Sequence, residues 1–379
     1  MIPFRRRPAP ALPLEAPGSP APFSLAVLNP GGRDPEQHFP AGAGQPDAAG
    51  SPHPPVNYHA YAACTGGSFH GSVDRALATG RPVLLLLRQD LGPAWRCLRR
   101  LKKAGRIVAV AFKEAGSAQV AARLSQGPDL RRLARIVEAA DGCLASAPWL
   151  EDFFRALRPK TSGVEPDRTV RFLPTPYPVD DGRWNFSVPP AQRRGIFVGT
   201  REFAVPSRQH LRAILAAREL HLATGEPVTV LNPEGRAGGK TLLALGFSPK
   251  EDASLRFVRG PLPFTEYLRL LARHRITFQL DRSGVPGQVA GDALLCRVPC
   301  VGGDGAIERT VFPELAGHDK EPSTLAAIAT RLLTDRDAYD ATWRAAQTRA
   351  METVSFRAAA AELAAYFWTL KATAAYRDG

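Results

Sequence analysis

Apolar residues along this chain fall into short continuous blocks, separated by stretches in which they recur at helical spacing. RPVLLLLR (81–88) and RIVAVAF (106–112) are apolar throughout and bounded by charge, the pattern of strands buried on both faces. Between them, residues 93–104 place apolar positions three and four apart among arginines and lysines, which predicts a basic amphipathic helix. Before them, FSLAVLN (23–29) reads as a strand and VNYHAYAAC (56–64) as a second. After them come helical patterns at 117–124 and 129–140, a short strand in DGCLAS (141–146), a helix over PWLEDFFRAL (148–157), and a strand opening VRFLPTPYPVDD (170–181). Prolines at 174, 176, 178, 189 and 190 interrupt the pattern. It then resumes with strands at 194–199, 227–232, 255–260, 276–281 and 299–303, and helices at 208–225, 239–246, 263–274 and 289–297. Two long helices, near 322–333 and 336–370, follow.

Strands that alternate with helices across short loops form parallel sheets covered by helices. Two such runs predict an α/β protein of two Rossmann-like, doubly wound domains facing across a cleft, with domains at 23–180 and 194–355 and a hinge at 181–193. The Pro-rich residues 1–22 are expected to be a disordered tail. Ligands of open parallel sheets sit beyond the carboxyl ends of the strands, so the strand exits are where chemistry is sought.

Composition narrows the function classes. The chain has 379 residues, 44% apolar and 22% charged, which is globular and long enough for two domains. No apolar run reaches the roughly 20 residues that span a bilayer, and the N-terminal arginines precede no apolar signal segment. A cytoplasmic location is the expectation, with peripheral contact at an anionic inner membrane face through the basic helix. The five cysteines are scattered, without disulfide or zinc spacing, and read as buried thiols. No metal site is expected. The net charge of +13 attracts polyanions in general. The basic helix lacks interleaved aromatics, so specific nucleic-acid binding is not expected.

The strand exits supply the candidate residues. Arg201 follows the strand at 194–199 and Arg208 opens the next helix; together they form a diphosphate clamp, or are two surface arginines in an Arg-rich chain. Ser283, just before GQVAGDALLCRVPCVGG (287–303), and Gly287 and Gln288 at its start flank a glycine-rich helix start whose free N–H groups suit phosphate. Asp292 in that helix either complements the helix dipole or accepts hydrogen bonds from sugar or ribose hydroxyls. In the first half, Lys113 and Glu114 follow a buried strand. Glu114 is a candidate base or electrostatic stabiliser; the alternative is a surface ion pair with Lys113. Gly31 and Gly32, in NPGGRD, form a candidate phosphate or acceptor loop, and Arg88, His59 and His70 lie near other exits. EGRAGGKT (234–241) falls short of a nucleotide-binding P-loop because Glu234 stands where that motif requires glycine.

The series GIFVGTRE, RQHLRAILAARE, PVTVLN, LRFVRGPLPFTEYLRLLARH, ITFQLD and GQVAGDALLCRVPCVGG, covering residues 194–303, resembles the nucleotide-sugar domain of GT-B glycosyltransferases, most like family 4. Arg201 stands one place after the family's arginine and Arg208 near its lysine. Asp292-Ala293 stands for Glu-Ala, and Arg297 to Val301 for Gly-x-Pro-Val-Val. SFRAAAAELAAYF (355–367) resembles the family's ending, which implies that a helix over 356–379 returns to the first domain. The resemblance implies transfer of a sugar, with retention and without metal or other cofactor, from a nucleoside-diphosphate sugar to a glycan, lipid-linked or other hydroxyl acceptor. The chain departs from the family at the first of its two glutamates, where Gly284 stands, with Asp281 three residues earlier. A non-catalytic binder of nucleotide sugar or glycan is therefore the alternative.

Overall fold

The computed structural model describes residues 23–46, 53–125, 127–158, 166–199, 202–248, 250 and 252–378. The expected tail, 1–22, and the candidate clamp residue Arg201 lie outside the described residues.

The described residues form two sheets. The first contains β1 (Ala26–Leu28), β2 (Gln37–His38), β3 (Ser68–His70), β4 (Val83–Leu87), β5 (Val108–Phe112), β6 (Gly142–Ala145) and β7 (Val170–Phe172), in the order β2-β3-β1-β4-β5-β6-β7. All pairs are parallel except β2 with β3. The second contains β8 (Ile196–Val198), β9 (Val228–Asn232), β10 (Leu255–Arg259), β11 (Ile276–Phe278) and β12 (Cys300–Val301), all parallel, in the order β10-β9-β8-β11-β12. Both are doubly wound α/β sheets, and each reverses its strand order beside its first strand, where a crevice opens at the carboxyl ends.

The continuous apolar blocks are central strands. Leu85 lies between Leu28 and Val110 in register, and β4 and β5 are fully buried. Val83, Leu85 and Leu87 enter the core on one face, and Leu84 and Leu86 enter the core on the other. Two-sided burial is why these strands show no alternation.

Two sequence expectations are corrected. Residues 56–64 contain a helix, Tyr58–Ala63, and the strand lies later, at β3. Every residue of that helix is buried, so no polar face marks its period. The long helix expected at 336–370 is two, Arg336–Thr353 and Phe356–Asp378. At the break the Tyr177 amide donates to the Val354 carbonyl at 2.8 Å, and Asp180 accepts from the amides of Phe356 and Arg357 at 3.3 and 3.0 Å. The helix Phe356–Asp378 lies on the first lobe, where Tyr366 donates to the Thr169 carbonyl at 3.0 Å.

The connection after β7 is packed rather than free. Trp184 and Tyr177 are buried, Trp184 donates to the Gly44 carbonyl at 3.1 Å, and the Phe186 amide donates to the Leu295 carbonyl at 2.9 Å. No helix among the described residues is long and apolar enough to cross a membrane.

Candidate active site

The carboxyl ends of the two sheets face each other across a cavity of about 510 Å³. The first lobe contributes Asn57, Tyr58, Lys113, Glu114, Ala115 and Gln119. The second contributes Gly199 after β8, Leu231 and Pro233 around the end of β9, Gly260 to Leu262 after β10, and Gln279 and Asp281 after β11. The loop and helix start at Val285–Val289, with Glu202, Arg208, Tyr267 and Glu308, complete the wall. A larger open groove, about 1350 Å³, includes Ser24 and Pro82, which precede β1 and β4, and so lies at the opposite end of the first sheet. Ligands of such sheets bind at the carboxyl ends, which favours the cavity between the lobes.

Lys113 and Glu114 leave β5 together. Lys113 pairs with Asp34 at 3.2 Å, and its ammonium lies 5.6 Å from the centre of the Tyr58 ring. Burial would push the Asp34 carboxyl up; the Lys113 charge outweighs it and holds Asp34 below its ordinary value. Glu114 pairs with Arg123, and its side chain is 40% exposed, so it is open to the cavity while held. Tyr58 supports this exit from below, donating to the Phe112 carbonyl and lying 2.9 Å from Ser146 Oγ. Asn57 beside it adopts φ +52°, a left-handed backbone uncommon outside glycine.

On the second lobe, Arg208 donates to Glu202 at 2.7 Å and to Asp281. Burial alone would lower its pKa; the two carboxylates outweigh it and raise it. The helix Gln288–Leu295 begins at Gly287, whose φ of +90° suits glycine, and its first turn faces the cavity. Gly199 lets that helix approach β8, since a Cβ there would meet Thr277 at 2.9 Å and Val289 at 2.5 Å.

The structure thus brings Lys113, Glu114, Arg208, Gly287 and Gln288 to one cavity. It does not bring Asp292, Ser283, Gly31 or Gly32 there. Asp292 is 1% exposed; it sits more than a turn into its helix, and Tyr177 donates to it over a long 3.4 Å. Ser283 is turned to the domain contact: its hydroxyl donates to Ser207 Oγ at 2.9 Å and its carbonyl accepts the Ser117 amide at 2.9 Å. Beside it the Trp149 indole donates to the Gly284 carbonyl at 3.0 Å. Position 284 is therefore docked on the first lobe. Gly31 and Gly32 form a turn whose Asp34 reaches the site only through Lys113. The P-loop-like segment is wound into the helix Gly235–Ala244, with Lys240 exposed.

Sequence reasoning missed Gln279, Glu202 and Glu308. Gln279 carried a faint signal, a polar residue inside ITFQLD. Glu308 carried none, because Glu308-Arg309 reads as an ordinary exposed helical pair. It is instead 2% exposed, and burial pushes its carboxyl up to about 8. Among the described residues that line the cavity, the acids Glu114, Glu202, Asp281 and Glu308 outnumber the bases Lys113 and Arg208, although the whole chain is strongly basic. Among the described residues no group of three His, Cys, Asp or Glu is placed to hold a metal ion.

No protein-family profile matches the chain, and no characterised protein matches it in sequence. Solved structures match its fold. The α,α-trehalose-6-phosphate synthase of Burkholderia multivorans superposes with a TM-score of 0.59 at 13% identity, over 81% of this chain and 74% of that one. A glycosyltransferase from Rickettsia africae gives 0.54 at 11% identity over 79% of each chain. HepE of Anabaena, solved with UDP and glucose, gives 0.56 at 13% identity over 90% of this chain and 98% of that one. At these identities the likeness establishes the architecture, two Rossmann-like lobes in the GT-B arrangement.

Proposed function

We propose that this protein is a glycosyltransferase that moves a sugar from a nucleoside-diphosphate sugar to a hydroxyl of a glycan or lipid-linked acceptor. One observation carries the reading. A single cavity sets the Lys113–Glu114 exit of the first lobe against Arg208 and the Gly287–Gln288 helix start of the second.

The apolar shelf of Leu231, Pro233, Leu262 and Tyr267 has the character that suits a nucleoside. The diphosphate would meet Arg208 and the free N–H groups at Gln288 and Val289. Arg208 must then exchange a carboxylate partner for phosphate, since Asp281 and Glu202 hold it now. The developing diphosphate charge is met by these groups in the proposed reaction, without calling on a metal. Glu114, positioned by its ion pair with Arg123, would accept the acceptor's proton or stabilise positive charge at the sugar carbon. The family-4 resemblance supports retention at that carbon.

The second reading, a non-catalytic binder, is favoured by Gly284, where the family places a carboxylate and where this chain makes a domain contact through the carbonyl. Thermal unfolding against nucleoside diphosphates and their sugars tests both. A ligand at a hundred times its dissociation constant adds about 2.7 kcal/mol. Stabilisation with donor turnover supports the enzyme, and stabilisation without it supports the binder. No stabilisation by any of them would remove the enzyme and the nucleotide-sugar binder alike.

A further inference from the structure

We propose that Glu308 is a positioning residue whose proton sets whether the turn at Gly287 can hold a diphosphate; this rests on the donor reading above. Glu308 lies in the helix Ala306–Val311, buried in the cavity wall. Its Oε1 accepts from Gln279 Nε2 at 2.8 Å. Its Oε2 is buried without a hydrogen-bond partner. That oxygen sits against Gly287 and Gly305, where a Cβ on either glycine would collide with it. A Cβ on Gly303 would meet Oε1 at 3.0 Å. Three glycines therefore make room for one carboxyl beneath the backbone that offers its N–H groups to the cavity.

A carboxylate so enclosed, with one oxygen left without a donor, costs more than a neutral acid does. Burial dominates the upward shift. The residue's own backbone amide and Gln279 oppose it, while Asp281 and Asp304 add to it. Asp281 is paired with Arg208, and Asp304 with Arg309 and His318, while burial pushes up the neighbouring Cys300 and Tyr177, which stay neutral. The protonated acid accepts Gln279 on Oε1 and leaves the positive end of the helix Gln288–Leu295 available to a phosphate. The ionised form places a negative charge beneath the same amides and competes with the phosphate for them. Linkage makes the coupling reciprocal, so a bound diphosphate holds the proton more tightly.

The test is calorimetric titration of the full chain with UDP, GDP and ADP at pH 7 and pH 9, in wild type and in Glu308→Gln. A group titrating near 8 goes from about nine-tenths to about one-tenth protonated over that interval, so wild-type affinity for the tightest binder falls about tenfold. In Glu308→Gln, whatever its absolute affinity, the change is under about twofold on the same basis. Parallel pH profiles in the two proteins overturn the proposal. Thermal unfolding of both proteins without ligand, from pH 5 to pH 9, decides the proton separately. A carboxyl raised from 4.5 to about 8 in the folded state stabilises below 4.5, and that stability is lost as pH rises through about 8. Wild type therefore loses several degrees relative to Glu308→Gln over this range, and a constant gap between them overturns the proposal. If none of the three nucleotides binds, the donor reading loses its ligand, while the unfolding comparison still decides whether Glu308 carries the proton.

Discussion

In the proposed function Arg208 is the charge that meets the donor's diphosphate, and Glu202 and Asp281 hold it in the structure. A charge-assisted hydrogen bond to phosphate contributes about 1.5–3 kcal/mol, so Arg208→Ala weakens nucleoside-diphosphate binding about tenfold to a hundredfold. Titration calorimetry reads this directly, and Arg208→Lys recovers only part of the loss because lysine lacks the planar fork. Glu114 has the opposite signature. Removing a positioned base costs about a hundredfold or more in turnover, so Glu114→Gln lowers kcat by at least that factor and leaves nucleotide affinity nearly unchanged. Near-normal transfer by that variant would remove Glu114 from the chemistry. The Lys113–Glu114 pair was legible because two charges directly after a five-residue apolar strand, at the carboxyl end of a parallel sheet, have few places to go but a cleft. Asp292 shares a helix face with Gln288 but lies one turn, about 6 Å, further along the axis; that step takes it from the cavity into the core against Tyr177, a depth the sequence does not show. Glu308 stayed hidden because its burial depends on Gly287, from a distant loop, meeting Gly303 and Gly305 just before its own helix.

The helix Gln288–Leu295 is the element that joins site to core. Its Gly291 packs on the Tyr177 ring so closely that a Cβ would overlap ring carbons. Gly291→Ala must push the helix or the Tyr177 segment aside. Overpacking of this kind costs about 1–3 kcal/mol, which denaturant unfolding measures, and nucleotide affinity should fall with it. The helix Leu91–Lys103 presents a different face. Asp74 and Asp141 neutralise Arg100 and Lys102, leaving Arg96, Arg99 and Lys103 exposed. Each basic residue at an anionic lipid surface is worth about 1 kcal/mol. Reversing these three charges to glutamate should sharply reduce sedimentation with phosphatidylserine vesicles; unchanged sedimentation would discard membrane contact. Elements with a two-sided or amphipathic pattern, such as β4, β5 and this helix, were readable from sequence. The helix Tyr58–Ala63 was not, because an element buried on all sides has no polar face to reveal its period.

Among the described residues, hydrogen bonds cross the cleft from the Ser117 amide and hydroxyl to the Ser283 carbonyl, and from the Trp149 indole to the Gly284 carbonyl. The lobes are further tied by the packed connection through Tyr177 and Trp184 and by the return of the last helix. Alternation of strand and helix made the two-lobed α/β architecture readable; the contacts across the cleft were not, since each depends on where two distant loops meet. The whole molecule also has a pH profile. Burial depresses His59, His210 and His274 to about 4, so each is neutral in the folded state. Their contribution is present above 6.5 and is lost as pH falls from about 6.5 through about 4. The midpoint of thermal unfolding should fall steeply over that range, and His274→Gln, which still offers a donor, should flatten part of the fall. The most direct test of the account is hydrogen–deuterium exchange of the full chain with and without UDP-, GDP-, ADP- and dTDP-sugars. The account predicts that one of them slows exchange on both walls at once, around residues 113–119 and 284–289. Protection confined to one lobe, or absent from both walls with every sugar nucleotide, would contradict it.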